Sequence, residues 1–157
     1  MKATIPSLEI EVTAYFAGLF DGEGYISVNV KDGERGGTGV LYVGVGSTDF
    51  PVLEDLRRTF GGCLTKMRIS SRSSKRLSRE WKITNGGAVA FLKAVYPYLR
   101  IKKRQAALAF KFRKMMDQNF RTHDAHRTGL FKELAAEIRS VNRGQSPGVE
   151  TIKEASL

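Results

Sequence analysis

The chain has 157 residues, 41% of them hydrophobic, which favours one domain with a packed core over a disordered polypeptide. Lysine and arginine number 26 against 16 acidic residues, and the resulting net charge of +10 favours a polyanionic partner such as a nucleic acid. The single cysteine, Cys63, excludes an intrachain disulfide and a cysteine-based zinc site, and we see neither a membrane-spanning run nor a secretory leader.

The helical spacing of apolar residues predicts a first helix over residues 7–20. Small residues recur every four positions near its end, at Ala14, Gly18 and Gly22. Such spacing leaves a flat groove that lets a second helix approach closely. An ordinary amphipathic helix that ends at a glycine is the plainer interpretation of the same pattern.

Alternation of apolar and polar residues predicts strands over residues 25–31 and 40–47, and the glycine-rich loop between them predicts a hairpin. A second helix follows, with Thr48 or Asp49 as its cap and two glycines at its end.

Two more strands are predicted over residues 63–69 and 79–84, and we expect Cys63 to be an inert core residue of the first. Asn85 is expected to cap a third helix, which Pro97 ends. Further helices are predicted over the last part of the chain, at 104–116 and 129–141.

The order of these elements is αββαββα, which predicts an α+β fold: a four-stranded antiparallel sheet with helices on one face, plus C-terminal helices. We expect a single domain over residues 1–143 and a flexible tail over residues 144–157. His123 and His126 are the only histidines, and because two histidines alone are a weak motif, a histidine metal site is not expected.

Polar residues occupy the alternate positions of the strands that point away from the apolar face. These outward residues are Tyr25, Ser27, Asn29, Lys31, Tyr42, Lys66, Arg68, Glu80 and Lys82, and the loop after the third strand adds Arg72, Lys75 and Arg76. A two-stranded ribbon fits the DNA major groove, where basic side chains read guanine and Asn reads adenine. Any solvated sheet face is polar, however, so DNA recognition and plain solvation both stay open.

Asp21 and Glu23 lie between glycines where the first helix gives way to the first strand. At the border of a basic face, free carboxylates would repel a phosphate backbone. A divalent cation removes this conflict because it binds carboxylate and phosphate oxygens together. Acids at such a junction also cap and turn a chain, so the spacing by itself leaves a structural role open.

The stretch FAGLFDGEG, residues 16–24, resembles the signature of the LAGLIDADG homing endonucleases, with Phe for the first Leu and Glu for the second Asp. The stretch PYLRIKKRQA, residues 97–106, resembles the basic segment that follows the core in single-motif members. Together with the element order, the resemblance covers roughly residues 8–116. It implies a site-specific endonuclease that binds a long pseudo-palindromic double-stranded DNA site as a homodimer, on a saddle-shaped sheet, and hydrolyses both strands.

The resemblance also implies roles for single residues. Glu23 matches the metal-binding acid, with the carbonyl of Gly22 as a second ligand, and Asp21 matches the first acid of the motif, which supports the helix end. Lys102 matches a basic residue near the scissile phosphate. Ser47 stands where relatives carry a water-positioning residue, although the register between Gly46 and Thr48 is open.

Two surfaces follow from the same resemblance. The residues implied at the dimer interface are Ala14, Ala17, Gly18, Asp21 and Gly22. Lys103 joins the outward sheet residues as a DNA contact.

Mg²⁺ is the implied cofactor, with Mn²⁺ able to replace it and Ca²⁺ supporting DNA binding without cleavage. The implied partners are double-stranded DNA and a second copy of the chain, with no membrane and no small-molecule substrate. We expect an intracellular protein that acts where the host DNA lies, in a bacterial cytoplasm or an organelle.

Three alternatives stay open: an RNA-splicing maturase with this fold, a DNA-binding protein without cleavage activity, and a basic RNA-binding domain that needs no metal. The acid at position 23 favours the nuclease over the first two.

Overall fold

A computed structural model describes residues 9–31, 38–69, 76–119 and 125–143. The predicted tail over 144–157 and the predicted DNA contacts Arg72 and Lys75 lie outside these residues, as do the side chains of both histidines.

Helices and strands alternate in the predicted order over the described part of the chain. They are α1 (Ile10–Glu23), β1 (Gly24–Lys31), β2 (Thr38–Ser47), α2 (Phe50–Phe60), β3 (Cys63–Leu64), β4 (Arg68–Ile69), β5 (Leu77–Thr84), α3 (Asn85–Val95), α4 (Lys103–Asn119) and α5 (Ala125–Asn142). A short 3₁₀ turn, Tyr96–Tyr98, follows α3. The α+β fold expected from the sequence is confirmed.

Helix α1 continues one turn further than its apolar pattern predicts and passes directly into β1. Gly24 ends the helix with an extended backbone, φ −86° and ψ 165°. A side chain at this position would overlap the ring and the carbonyl oxygen of Phe20, so the abrupt change of direction depends on glycine. Glu23 therefore stands at the junction itself.

The sheet is antiparallel, with strand order β1-β2-β5-β3 and β4 also paired with β5. It has five strands where four were predicted, because the predicted strand over 63–69 is divided into β3 and β4. The former pairs with residues 81–82 of β5 and the latter with residues 77–78, so residues 65–67 face only residues 79–80. Three residues thus face two, and the one extra residue forms a β-bulge, which interrupts the ladder locally.

The inner face of the sheet packs against the helices. Trp81 is fully buried there, and its indole N–H donates to the carbonyl of Gly61 at 2.8 Å. Phe91 of α3 lies edge-on to Trp81 and to Phe60 of α2, at ring-centre distances of 5.1 and 4.8 Å. Aromatic pairs of this kind add to the stabilisation that comes from buried area alone.

Cys63 was expected in the core, and this prediction is wrong. Cys63 is exposed, because it pairs with Lys82 on the outward face. Its neighbour Leu64 pairs with the buried Trp81. A strand alternates between its two faces, so the apolar neighbours of a cysteine do not decide which face it takes.

Asn85 was predicted to cap α3, and this prediction is also wrong. It is the first helical residue, with φ +48°, and Thr84 occupies the cap position without a side-chain bond. The Asn85 side chain instead accepts a hydrogen bond from the backbone N–H of Leu41 at 3.2 Å and so ties α3 to β2.

Helix α5 covers the outer edge of β1, where Asn142 donates its side-chain N–H to the carbonyl of Ile26 at 2.7 Å. Covering an edge strand in this way protects it from pairing with other chains. Among the described helices, none is both long and apolar enough to cross a membrane.

Candidate active site

Asp21 lies in the last turn of α1, and its carboxylate is bonded to the segment that precedes α4. One oxygen, Oδ2, accepts from the backbone N–H groups of Arg100 at 2.7 Å and Ile101 at 3.2 Å, and Oδ1 accepts from that of Lys102 at 2.9 Å. Burial alone raises the pKa of Asp21, but these bonds and the Lys102 charge outweigh it, so the pKa lies below its ordinary value of 3.8. The acid therefore joins two helices.

The side chain of Lys102 turns back to the same helix end. Its Nζ donates to the backbone carbonyl of Asp21 at 2.5 Å and lies 6.0 Å from the centre of the Phe20 ring. Burial lowers the pKa of Lys102 below 10.5, and the charges of Asp21 and Glu23 oppose this shift only in part. The ammonium group is thus held at the carbonyl of Asp21, two residues before Glu23 in the last turn of α1.

Glu23 is exposed and borders a groove of about 650 Å³ at the end of the sheet. Hydroxyl and guanidinium residues share this groove: Ser47, Thr48, Thr65, Ser78, Arg68 and Arg79. Thr65, Ser78 and Arg79 were missed in the sequence, because the bulge that brings β3 and β4 to this place depends on strand register and leaves no mark in the alternation. The Nε of Arg79 donates to the carbonyl of Thr65 at 3.0 Å, which fixes the guanidinium group against the bulge.

A divalent ion at this junction would have a small set of ligands in one chain. The carboxylate of Asp21 is occupied by three N–H donors, whereas Glu23 is exposed and Gly22 belongs to the last four helical residues, whose carbonyls have no partner inside the helix. The described residues contain no group of three Asp, Glu, His or Cys side chains suited to a metal. One protomer thus offers one free carboxylate and one carbonyl to a divalent ion at this junction.

Ser47 ends β2 beside the same groove. Its hydroxyl accepts a hydrogen bond from the backbone N–H of Asp49 at 2.9 Å, and the carboxylate of Asp49 caps α2 through the N–H of Val52 at 3.5 Å. A hydroxyl that accepts in this way still has its own proton to donate. The capping role predicted for Asp49 is confirmed.

Tyr25 crosses the outward face of three strands next to Glu23. Its ring lies over Gly44 of β2, where an added Cβ would stand 2.6 Å from the ring atoms, and its hydroxyl donates to the carboxylate of Glu80 on β5. Burial raises the pKa of the Tyr25 phenol, and the bond to Glu80 and its charge raise it further. Glu80 also pairs with Lys82 at 3.6 Å.

The remaining outward residues follow the strand register. Ser27 is opposite Tyr42, and Lys31 is opposite Thr38 at the far end of β1. Lys82 also lies over the Tyr42 ring, 5.8 Å from its centre. The register also places outward several residues that the sequence analysis did not name: Thr38, Val40, Gly44, Gly46, Cys63, Ser78 and Thr84.

Two residues that were predicted to contact DNA lie outside the strands of the sheet. Lys66 is exposed within the bulge. Lys103 belongs to α4, not to the sheet, and its ammonium lies 5.2 Å from the centre of the Tyr96 ring.

One face of α1 carries the three small residues spaced four apart. Ala14, Gly18 and Gly22 are all exposed, and an added Cβ at either glycine would meet nothing within 4 Å. Ala17, predicted at the dimer interface, is fully buried in the protomer and presents no surface to a partner. Ala17 lies one residue from Gly18, about 100° around the helix, and this rotation turns it into the core.

The chain was compared with known proteins by sequence and by structure. Neither a protein-family model nor a curated protein matches the sequence. Solved structures do match the fold. The homing endonuclease I-CvuI, in complex with its target in the presence of 2 mM Ca, aligns with a TM-score of 0.67 and 20% identity over 89% of this chain and 85% of that chain.

Two other structures match in the same way. The archaeal intron-encoded homing endonuclease I-Vdi141I, complexed with DNA, aligns with a TM-score of 0.67 and 17% identity over 88% of this chain and 86% of that chain. The LAGLIDADG homing endonuclease I-GzeII, in complex with its DNA target, gives 0.61 and 14%, over 82% of this chain but 43% of that chain. The fold is therefore that of these homing endonucleases.

Proposed function

We propose that the chain is a single-motif LAGLIDADG homing endonuclease, which binds a long pseudo-palindromic double-stranded DNA site as a homodimer and hydrolyses both strands with divalent metal ions. The observation that carries the proposal is the position of Glu23. Its carboxylate is exposed at the one point where the small-residue face of α1 ends and the outward face of the sheet begins.

The proposed homodimer would bring a second carboxylate to this junction. One protomer supplies one free carboxylate, and two-fold symmetry would bring in Glu23 of the partner subunit when the small-residue faces of two α1 helices meet. The coverage supports the same arrangement: this chain spans 85% of I-CvuI but 43% of I-GzeII, which is long enough for a second unit of this size. We therefore propose that a second unit completes the site and that this unit is another copy of the chain.

The residues at the junction suit phosphodiester hydrolysis. Glu23 and the Gly22 carbonyl would hold Mg²⁺, which when bound lowers the pKa of a water ligand and stabilises the leaving oxygen. Lys102 keeps a positive charge beside this position, where negative charge develops on the phosphate. The Ser47 hydroxyl has a proton to donate and can orient a water.

The outward sheet face suits the flanking DNA. Ser27, Asn29 and Lys31 form a polar row on one strand of a two-stranded ribbon, which is narrow enough for the major groove. Because Glu80 is occupied by Lys82 and Tyr25, its charge opposes Arg68 of β4 and Arg79 of β5 less strongly. Phosphate contacts then position the protein, and the row on β1 reads bases.

The test uses a library of randomised duplexes, sequenced after incubation with the protein and Mg²⁺. We expect double-strand cuts at a roughly palindromic sequence with Mg²⁺ or Mn²⁺, and binding of the same sequence without cuts in Ca²⁺. Binding without cleavage in every metal would identify a DNA-binding protein or a maturase, and metal-independent RNA binding would identify an RNA-binding domain. Either result contradicts the endonuclease.

The same assay tests Glu23. In Glu23→Gln we expect cleavage to fall roughly 10³-fold or more, because the metal loses its charged ligand, while DNA binding survives. Glu133→Gln changes an exposed acid on α5 in the same way and should cleave like the wild type. Normal cleavage by Glu23→Gln would show that another residue holds the metal.

A further inference from the structure

The segment before α4 has backbone donors that its own helix cannot satisfy. Lys102 precedes the helix, and its carbonyl accepts the first helical bond from the N–H of Ala106 at 3.0 Å. Residues 100–102 therefore lie before the first turn, where N–H groups have no carbonyl partner in the helix. Here the acceptor is Asp21, about 80 residues earlier in the chain.

A further hydrogen bond runs in the opposite direction, from Lys102 to Asp21. While the Asp21 carboxylate accepts three N–H groups from the segment, the Lys102 ammonium donates to the Asp21 carbonyl at 2.5 Å. Both the main chain and the side chain of Lys102 are therefore attached to one residue. These four hydrogen bonds form what we term the Asp21 clamp.

We infer that Asp21 is a positioning residue for Lys102: the Asp21 clamp holds the ammonium group at the end of α1, beside the residue proposed to bind the metal. This inference rests on the proposed function. The two acids of the motif then have separate tasks, with Glu23 facing a ligand and Asp21 facing the protein. Asp21 itself touches neither metal nor DNA in this assignment.

Hydrogen exchange tests the clamp without any catalysis. Arg100 and Ile101 are exposed residues outside regular structure, so their amides exchange at the rate of an open chain unless the Asp21 carboxylate protects them. We expect slowed exchange at residues 100–102 in the wild-type protein. Asp21→Asn should lose part of this protection, because its amide keeps one acceptor oxygen but presents an NH₂ donor either to Lys102 or to Arg100 and Ile101. Open-chain exchange in the wild type would overturn the inference.

A double-mutant cycle tests the positioning role. Asp21→Asn should lower kcat roughly 10- to 100-fold, the range found when a partner that orients a functional group is lost. DNA affinity measured in Ca²⁺ should be unchanged. Because Asp21 acts through Lys102, the double variant Asp21→Asn/Lys102→Met should cleave no more slowly than Lys102→Met. A merely structural role predicts additive losses and weaker DNA binding, and that result overturns the inference.

Two further variants complete the design. Asp117→Asn removes an exposed carboxylate that pairs with Arg113 near the other end of α4, and it should match the wild type in exchange and rate. Asp21→Glu keeps both acceptor oxygens on a longer side chain and should restore part of the protection and part of kcat. If Asp21→Asn fails to fold, Asp21→Glu takes its place in the double-mutant cycle with Lys102→Met. A wild type that cuts no DNA contradicts the proposed function, whereas hydrogen exchange still decides the clamp.

Discussion

Asp21 and Glu23 are separated by a single glycine, yet their carboxylates meet different surroundings. Asp21 accepts three backbone hydrogen bonds, whereas Glu23 is exposed at the rim of a groove. The sequence indicates that two acids stand at a junction, but the partner of Asp21 lies about 80 residues away and no local pattern reveals it. The difference between the surroundings of the two carboxylates therefore depends on the tertiary structure.

The lowered pKa of Asp21 predicts an acid-sensitive stability. Its ionised form is favoured in the folded state, so its contribution is fully present well above the unfolded pKa of 3.8 and is lost as the pH falls through the lower folded pKa. We expect Asp21→Asn to lower the free energy of unfolding by about 1–3 kcal/mol at pH 7. The difference between the two proteins should shrink below pH 3.8, as measured by urea denaturation across pH. A pH-independent difference would show that the charge is not involved.

Cys63 offers a direct probe of the outward sheet face. It is the only cysteine in the chain and lies opposite Lys82 on that face. Bound DNA should therefore slow its alkylation by a maleimide at least tenfold or so, since stable interfaces exclude solvent from their centre. In a Cys63→Ser background, a cysteine placed by Glu133→Cys on α5 should react equally with and without DNA. Equal reactivity of Cys63 in both states would place the DNA elsewhere.

Strand β2 has two outward glycines that differ only in what covers them. A Cβ at Gly44 would lie 2.6 Å from the Tyr25 ring, whereas at Gly46 its nearest neighbour, the carbonyl oxygen of Arg79, would be 4.0 Å away. Gly44→Ala should cost about 1–3 kcal/mol by displacing Tyr25 from Glu80, and Gly46→Ala should be neutral or slightly stabilising. Thermal or urea unfolding of both variants measures this. Equal stability of the two would mean that the Tyr25 ring moves without cost.

The sequence predicted the order and type of the helices and strands, but it did not predict the bulge, the exposed face of Cys63 or the bond between Tyr25 and Glu80. Periodicity decided β1, β2 and α2, because each buries one face against the same core. Periodicity failed at the edge formed by β3 and β4. The bulge inserts one residue there and so exchanges the inward and outward positions between the two strands, which is why Cys63 was placed in the core. Tyr25 was assigned to the correct face, but its bond to Glu80 crosses a strand and depends on the absent side chain of Gly44.

Assembly of the whole molecule can be tested through the small-residue face of α1. In Gly18→Leu the new Cβ meets no atom within 4 Å from the other elements that the structure describes, so the protomer should stay folded, but the larger side chain should hold two α1 helices apart. We expect a monomer by light scattering, with at least tenfold or so weaker DNA binding through loss of the second half-site. Gly129→Leu, at a helical glycine on α5 with equally open space, should not change the oligomeric state. A dimeric Gly18→Leu would point to another interface.

The direct passage of α1 into β1 at Gly24 has a mechanical consequence. No loop separates the helix that would meet the partner subunit from the strand that would enter the groove, so no hinge can absorb a change in the angle between two protomers. In the proposed homodimer, a rotation at the two-fold axis would become an equal rotation of both ribbons that are proposed to contact DNA. The distance between the two cuts and the distance between the two recognised half-sites would then be set together, by how closely a pair of helices can approach.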